Sequence, residues 1–518
     1  MYIRFSAQIR PETIVTYDFE LKQPITLAEL QRLSEMRVSE NKLDCRQLSV
    51  LDNVDWSIWL SGQVLIATGN NQLELIAADN CCQASASVGR VRQFARELPE
   101  PLASEVKKLI SVRALMPKFS CQWREQSLDF LNTDDKIVAR ATLYHIVDAS
   151  PTAQTFLKLH PLRGYDQEAQ AIVNNLDQVA TPTQTEITLR FLLQCCGLTP
   201  DPPATKPAFH LAAHQPTEDA VLGMVAELLR LARQQEKGLI ADIDTEFTHQ
   251  YRVNLRKARS LLSLFKKEVS SERYRALQLP LKSMAKETNL LRDLDVLLLD
   301  RNTYRAILPE NFRPGLDTLF KRLSRRRRHV WRKVTATLTG EDYLDNAKQL
   351  EKLTKEPPNF STPRSRTPIK KQVSRKILSQ YSKIQRHGAR IDAATPDEQI
   401  HELRIEAKKL RYLLELFAEL FPYEKVRQLI KALKRLQDNL GRFNDYSSQC
   451  LFLGLLACGS GITTAERDAI NGLIAVLYSK QRSEREQVVE MIAAFSTATI
   501  AEQFQKLFAS ATSKDEGS

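Results

Sequence analysis

Residues 249–265 read HQYRVNLRKARSLLSLF and residues 401–417 read HELRIEAKKLRYLLELF. His249, Arg252, Arg256, Lys257 and Arg259 of the first stretch match His401, Arg404, Lys408, Lys409 and Arg411 of the second, each at a separation of 152 residues. The match continues without a gap through Leu261 and Leu413, Leu262 and Leu414, Leu264 and Leu416, Phe265 and Phe417. It then takes in Arg275 and Arg427, Leu277 and Leu429, Leu281 and Leu433, Lys282 and Lys434, and ends at Asp293 and Asp445. A register held constant over this length marks the duplication of a folding unit rather than a chance basic run.

Helical geometry turns the spacing into chemistry. At 100° per residue, offsets of 0, 3, 7 and 10 from the histidine fall within roughly 80° of arc and about 15 Å of axis. His249, Arg252, Arg256 and Arg259 therefore share one stripe, while Tyr251, Leu255, Ala258, Leu262 and Phe265 occupy the neighbouring sector and can be buried. The second copy repeats this with Leu403, Leu410, Leu414 and Phe417. Like charges at these separations repel by a few tenths of a kcal/mol per pair. Two such stripes are more simply explained by an anionic ligand than as solvated faces. A histidine at the head of each stripe can donate to phosphate oxygens and would bind better when charged.

Charge divides the chain. Up to residue 205 there are 20 Lys and Arg against 24 Asp and Glu, and beyond it 54 against 38, so the basic partner site belongs to the C-terminal part. A pI near 9.2 with this asymmetry points to a polyanion: nucleic acid, an anionic membrane surface or a phosphate polymer. The eight cysteines show no CxxC spacing and no histidine partners, so neither a zinc site nor a disulfide scaffold is expected. No basic segment followed by an apolar run opens the chain, and no stretch approaches a membrane span, which predicts a cytoplasmic protein with no membrane partner.

Strand character at 17–22, 64–67, 73–77, 136–147 and 155–159, mixed with helical runs at 25–36 and 102–112, reads as α+β, followed by a helical stretch over 166–196. Prolines 200, 202, 203 and 207 mark a linker, and prolines 357, 358, 363 and 368 separate the two copies. The expected organisation is a first domain over 1–197, a Pro-rich linker over 198–212, and a helical domain over 213–510. Its copies cover 213–355 and 369–510, each a four-helix bundle, and a disordered tail occupies 511–518. A further helix carries Arg325, Arg326, Arg327 and Arg328. There Arg325 and Arg328 join a basic stripe, whereas Arg327 falls on the apolar side, through a basic groove or by snorkelling.

Glu246 with His249 and Glu398 with His401 both spell ExxH, a spacing used by carboxylate-bridged di-iron bundles. Metal dications beside Arg252 and Arg256 would be repelled, and no matched glutamates complete a ligand set. These acids read instead as helix N-terminal residues favoured by the macrodipole. No metal and no cofactor is expected. Asp293 and Asp445 read as ion-pair partners that orient nearby basic side chains.

The pattern His-x-x-Arg-x-x-x-Arg/Lys-Lys-x-Arg is followed by Arg-Asp-Leu-Asp at 292–295 and by Leu-Gln-Asp-Asn-Leu-Gly-Arg-Phe-Asn-Asp at 436–445. It resembles the CHAD domain over roughly residues 215–510. That resemblance implies an all-α pair of four-helix bundles whose basic surface binds inorganic polyphosphate, with association to polyphosphate granules. The positions it assigns to the ligand are the His, Arg and Lys residues of the two stripes together with Lys282 and Lys434. The N-terminal part is similar to the CYTH domain, a β-tunnel fold of triphosphate hydrolases and adenylate cyclases: Asp18-Phe19-Glu20-Leu21-Lys22 resembles its ExExK signature. Val64-Leu65-Ile66-Ala67 departs from it where an active tunnel would alternate arginines, leaving Lys22 and Arg140 as candidate inward cations. A triphosphatase must neutralise several phosphate charges and hold Mg²⁺ on carboxylates, so this half reads as a degenerate remnant without catalysis.

The expected function is non-catalytic binding of inorganic polyphosphate. The alternatives are a divalent-metal-dependent triphosphatase using Asp18, Glu20 and Lys22, and a nucleic-acid-binding protein. The latter is disfavoured because no aromatic side chains interleave the basic ones and no groove-reading motif is present. Homo-oligomerisation stays open.

Overall fold

The architecture was read from a computed structural model that describes residues 16–69, 72–88, 94–147, 154–183, 185–204, 206–392 and 394–509. The tail expected at 511–518 lies outside these residues. The chain divides between Pro203 and Ala204 into two units.

Among the described residues of the first unit, nine antiparallel strands follow the order β5-β4-β3-β2-β6-β7-β8-β1-β9. They are β1 (Tyr17–Leu21), β2 (Arg37–Asp52), β3 (Val64–Thr68), β4 (Gln72–Ile76), β5 (Cys82–Ser87), β6 (Met116–Leu131), β7 (Ile137–Val147), β8 (Gln154–Pro161) and β9 (Ala180–Pro182). The helices are α1 (Leu27–Ser34), α2 (Ser57–Leu60), α3 (Leu102–Ile110), α4 (Asp166–Leu176) and α5 (Leu189–Cys195). The helical stretch expected over 166–196 is thus interrupted by β9, whose Ala180, Thr181 and Pro182 pair with β1. Proline lacks the N–H a helix needs, and it is tolerated at the edge of a sheet.

The two longest strands, β2 and β6, pair from Arg37 opposite Leu131 to Asp52 opposite Met116. Much of β2 is polar and exposed, Glu40, Asn41 and Lys42 among it, so little hydrophobic alternation betrays it. Cross-strand register puts Asp18, Lys158, Thr142 and Ser127 on one face, with Glu20, Phe156, Tyr144 and Glu125 in the next row. Further along that face lie Ile146, Trp123, Leu48, Val50, Ile66 and Val64, packed with Leu189, Leu192 and Leu193 of α5. An apolar core, not a row of cations, fills this part of the sheet.

The second unit is helical throughout. The first copy comprises α6 (Thr217–Gln234), α7 (Glu236–Ile240), α8 (Thr245–Leu264), α9 (Ser271–Glu287), α10 (Asn289–Leu299), α11 (Arg301–Ile307), α12 (Arg313–Thr339) and α13 (Glu341–Lys355). The second comprises α14 (Ile369–Gly388), α15 (Asp397–Leu416), α16 (Tyr423–Ala457), α17 (Thr464–Phe495) and α18 (Ala498–Phe508). A shift of 152 residues carries α8 onto α15 with both ends in register, α6 onto α14, α12 onto α17, and α9 plus α10 onto the single helix α16. Each copy therefore supplies four long helical elements, and the shorter α13 or α18 closes it.

Equivalent residues meet one another, which identifies a pseudo-twofold axis. Phe265 packs on Phe417 with ring centroids 5.5 Å apart. Thr217 N–H donates to Thr367 O at 3.0 Å, and Ile369 N–H donates to Gln215 O at 2.9 Å. Glu218 N–H to Ser365 O and Lys370 N–H to Ala213 O form a second mirrored pair, at 3.1 and 3.2 Å. A core of Leu294, Leu297, Leu316, Leu319, Phe320, Leu453, Ile470 and Leu473 is shared between the copies. Burying such side chains contributes about 1.5–3 kcal/mol each, so the copies stabilise one another as one body.

Candidate anion-binding site

Helix α8 starts where the Asp244 carboxylate accepts the N–H groups of Glu246 and Phe247 at 2.9 and 3.3 Å. It buries Tyr251, Leu255, Ala258, Leu261 and Leu262. α15 starts behind Pro396 and buries Leu403, Ala407, Leu410, Leu413 and Leu414. With those faces inward, both stripes are turned away from the core, and contact of Phe265 with Phe417 draws the two helices together at the axis. The stripes then act on one another. The positive field of Arg256 reaches both Arg404 and Lys408, and Lys257 lies in the fields of Glu415 and Arg411.

Arg252 and Arg404 are the inner members. Arg252 Nη1 donates to Ala285 O at 2.9 Å, Thr288 Oγ1 at 3.1 Å and Asn289 Oδ1 at 2.7 Å, tying α8 to the break between α9 and α10. Arg404 Nη2 lies 3.6 Å from Asp445 Oδ1. In both arginines the Nε–H is buried and has no partner. An unsatisfied buried donor costs about 1–3 kcal/mol, more on a charged group. The same orphaned donor recurs at equivalent positions in the two copies.

The histidines differ. Burial first, then the fields of Arg292, Arg256 and Arg252, hold the His249 imidazole down at about 4. Burial and the surrounding cations therefore keep the His249 ring neutral in the ligand-free protein at neutral pH. His401 is exposed and its Nδ1 lies 2.7 Å from Asn444 Oδ1. Asn444 is the counterpart of Arg292, which joins the site from α10 and which sequence reasoning passed over. Its signal was present: the arginine immediately precedes the repeated Asp293, but duplication reports only what both copies share.

Lys408 is pulled down to about 8 by burial and then by Arg404 and Arg256, against a partial offset from Asp445. Arg256 and Arg259 form no ion pair among the described residues and line a cleft of about 250 Å³ with Ser260, Ser263, Gln278 and Lys409. Lys409 Nζ is 2.7 Å from Glu406, and Arg411 is held by Glu415 at 2.5 Å and by Gln437 at 3.3 Å. Lys282 and Lys434 are exposed on α9 and α16.

Arg325 and Arg328 are exposed on α12. Arg327 is not part of a basic groove. It turns inward, with Nε 2.8 Å from the fully buried Asp295 and Nη1 on Asp242. An apolar-side arginine is tolerated there because two carboxylates pair with it.

The acidic residues near the histidines have other partners. Asp244 caps α8, Glu246 accepts from Gln250 at 2.6 Å, and Asp397 accepts from Gln481 at 2.9 Å and from Arg485. Among the described residues no group of three or more His, Cys, Asp or Glu is placed to hold a metal ion. No helix among them is long and apolar enough to cross a membrane. In the first unit, Asp18 Oδ2 accepts Ile187 N–H at 2.8 Å, Glu20 is exposed, Lys22 donates to Gln178 O at 3.4 Å, and Arg140 lies 3.6 Å from Asp129.

Comparison with known proteins bears on the helical unit. Residues 223–454 match the family described as the CHAD domain. Among solved structures, the crystal structure of the CHAD domain from the plant Ricinus communis aligns with a TM-score of 0.46 and 20% identity over 56% of this chain and 96% of that one. PptA from Streptomyces chartreusis aligns with a TM-score of 0.43 and 15% identity over 54% of this chain and 100% of that one. No curated protein matches the sequence.

Proposed function

The chain carries a CHAD domain over residues 223–454, and from that premise we propose that it binds inorganic polyphosphate on the joined stripes of α8 and α15. The observation that carries this reading is the cleft of about 250 Å³ in which Arg256 and Arg259 of one copy meet Lys409 of the other. A phosphate chain offers closely spaced charged oxygens and nothing else, which suits a site made of guanidinium and ammonium donors without aromatic platforms. Association with polyphosphate granules in the cytoplasm would follow from such binding.

The same reading gives the first unit no catalysis. Val64 and Ile66 belong to an apolar core with Trp123, Ile146, Phe156 and α5, where a phosphate tunnel would need cations. With Mg²⁺ or Mn²⁺, the protein should release little phosphate from triphosphate or nucleoside triphosphates. Robust turnover abolished by Glu20→Gln would restore the triphosphatase reading.

The direct test is titration of the full chain with long polyphosphate at several salt concentrations, with DNA and RNA as competitors. About six phosphate contacts should give a log–log salt slope near −4, by analogy with single-stranded nucleic acids. Salt-independent binding, or displacement of polyphosphate by equal phosphate equivalents of DNA or RNA, would defeat the proposal.

A further inference from the structure

The axis that relates the stripes should also relate what flanks them, yet it does not. Beyond the C-terminal end of α8, a cleft of about 560 Å³ opens between that end, the turn at 362–365 and one face of α14. Lys266, Lys267, Arg364, Arg375 and Lys383 line it, and none of these five forms an ion pair among the described residues. Lys376 and Lys409 complete the wall, held by Glu268 at 3.1 Å and Glu406 at 2.7 Å. Among the described residues no carboxylate lines the cleft.

At the equivalent positions 152 residues away the charge is reversed or absent. Lys267, Ser263 and Ser379 correspond to Glu419, Glu415 and Glu227; Lys266 and Arg364 to Ala418 and Ala212; Arg375, Lys376 and Lys383 to Gly223, Met224 and Leu231. Of the seven cations only Lys409 has a basic mate, Lys257. The mate side is also covered by the chain itself. Leu211 N–H donates to Glu419 at 2.8 Å. One duplicated position thus became a closed contact, and the other an open cleft in which five of the seven cations form no ion pair among the described residues. Uncompensated like charges raise the energy of the ligand-free fold, and an anion would remove that cost.

Lys409 and Ser263 line both this cleft and the smaller one that holds Arg256 and Arg259. We propose that the cleft between α8 and α14 is a second phosphate-chain site, continuous with the central stripes through Lys409, so that a bound polyphosphate leaves the axis on this side only. The inference rests on the polyphosphate reading above and adds a direction to it. Short chains that occupy the stripes alone would not sense the cleft, whereas long chains would gain a second set of contacts at high effective concentration.

The test compares tripolyphosphate with long-chain polyphosphate on the full protein. Arg375 and Lys383 are exposed, so Arg375→Gln with Lys383→Gln should leave the fold intact, as circular dichroism would register. The pair should lower long-chain affinity by about tenfold or more and flatten its salt slope, with tripolyphosphate affinity unchanged within about twofold. The matched pair Lys107→Gln with Lys108→Gln should change neither. As a second readout, lysine acylation followed by mass spectrometry should show Lys267 and Lys383 protected by long chains but not by inorganic phosphate at equal phosphate concentration. If wild-type protein binds long chains while the cleft variants bind them equally well, or if inorganic phosphate alone protects these lysines, the second site is wrong and the central reading stands. If wild-type protein binds no polyphosphate, both fall together.

Discussion

The two copies of the helical unit share a framework and divide its chemistry. Copy two runs through Leu440 as one continuous α16, whereas copy one breaks at the equivalent Thr288 into α9 and α10, and Arg252 fastens the break. Copy one packs Arg327 against Asp295 and Asp242, where copy two has Ser479, Ser447 and Ala394. Copy one places Arg292 beside its histidine, and copy two places Asn444. Cations kept in both copies and turned to the shared cleft, such as Arg256 and Arg259, are then the ones to connect with a ligand. Charges present in one copy and fully paired are scaffold.

The Arg327 cluster gives the sharpest test of that division. Arg327→Ser leaves Asp295, a fully buried carboxylate, without its closest cation. Removing one partner of a buried pair costs about 3–5 kcal/mol, which denaturant melts would register. Introducing the copy-two residues together, Arg327→Ser with Asp295→Ser and Asp242→Ala, should recover most of the loss, because the charge to be compensated goes with its partner. If the triple variant is no more stable than the single one, the cluster does more than hold charge against charge.

For binding, the comparison predicts a position that serves both copies at once. Arg256 is exposed, and its field reaches Arg404 and Lys408 across the axis. Arg256→Glu should weaken polyphosphate binding about a hundredfold, the equivalent of roughly 2.7 kcal/mol. Lys282→Glu, on α9, should cost far less. Equal losses at the two positions would mean that the stripes do not form one site.

Periodicity made the buried and basic faces of α8 and α15 legible, since both follow from a 3.6-residue repeat, and the constant offset made the duplication legible. Meeting of the stripes at Phe265 and Phe417 was not, because the axis is a tertiary fact. The cleft lined by Arg375 and Lys383 was hidden for a related reason: its mates are Gly223 and Leu231, so a search for shared positions passes over it. In the first unit the short, apolar strands read correctly, among them Val64–Thr68 and Ile137–Val147. β2 and β6 did not, because strand pairing rather than hydrophobic alternation holds much of their length.

Copy two carries a titratable member where copy one carries an arginine, Lys408 against Arg256. Lys408 is held down near 8 by burial and neighbouring cations, so a bound polyanion would raise it and binding would take up a proton. The sign follows directly: affinity is full below the ligand-free value and falls as pH rises above it. Between pH 7 and pH 9 the loss should be about tenfold, with proton uptake on binding measurable in buffers of different ionisation enthalpy. Lys408→Arg should flatten the profile, and a slope that persists in that variant would assign the titration to another group.

The smallest expected effect concerns Arg259 and its mate. Arg259 forms no ion pair among the described residues, while Arg411 is held by Glu415 and Gln437; the residue equivalent to Glu415 in copy one is Ser263. Glu415 also sets a negative field at Lys257. An anion approaching this end of copy two must compete with that carboxylate for Arg411, whereas Arg259 offers its donors freely. Glu415→Ser should therefore release Arg411 and tighten polyphosphate binding by about twofold to fivefold at low salt, fading as screening increases. The same substitution should leave Arg259→Gln as harmful as before, because the gain arises on the other side of the axis. Unchanged or weaker binding in Glu415→Ser would show that Arg411 lies outside the path of the ligand, leaving the stripe of copy two to Arg404, Lys408 and Lys409.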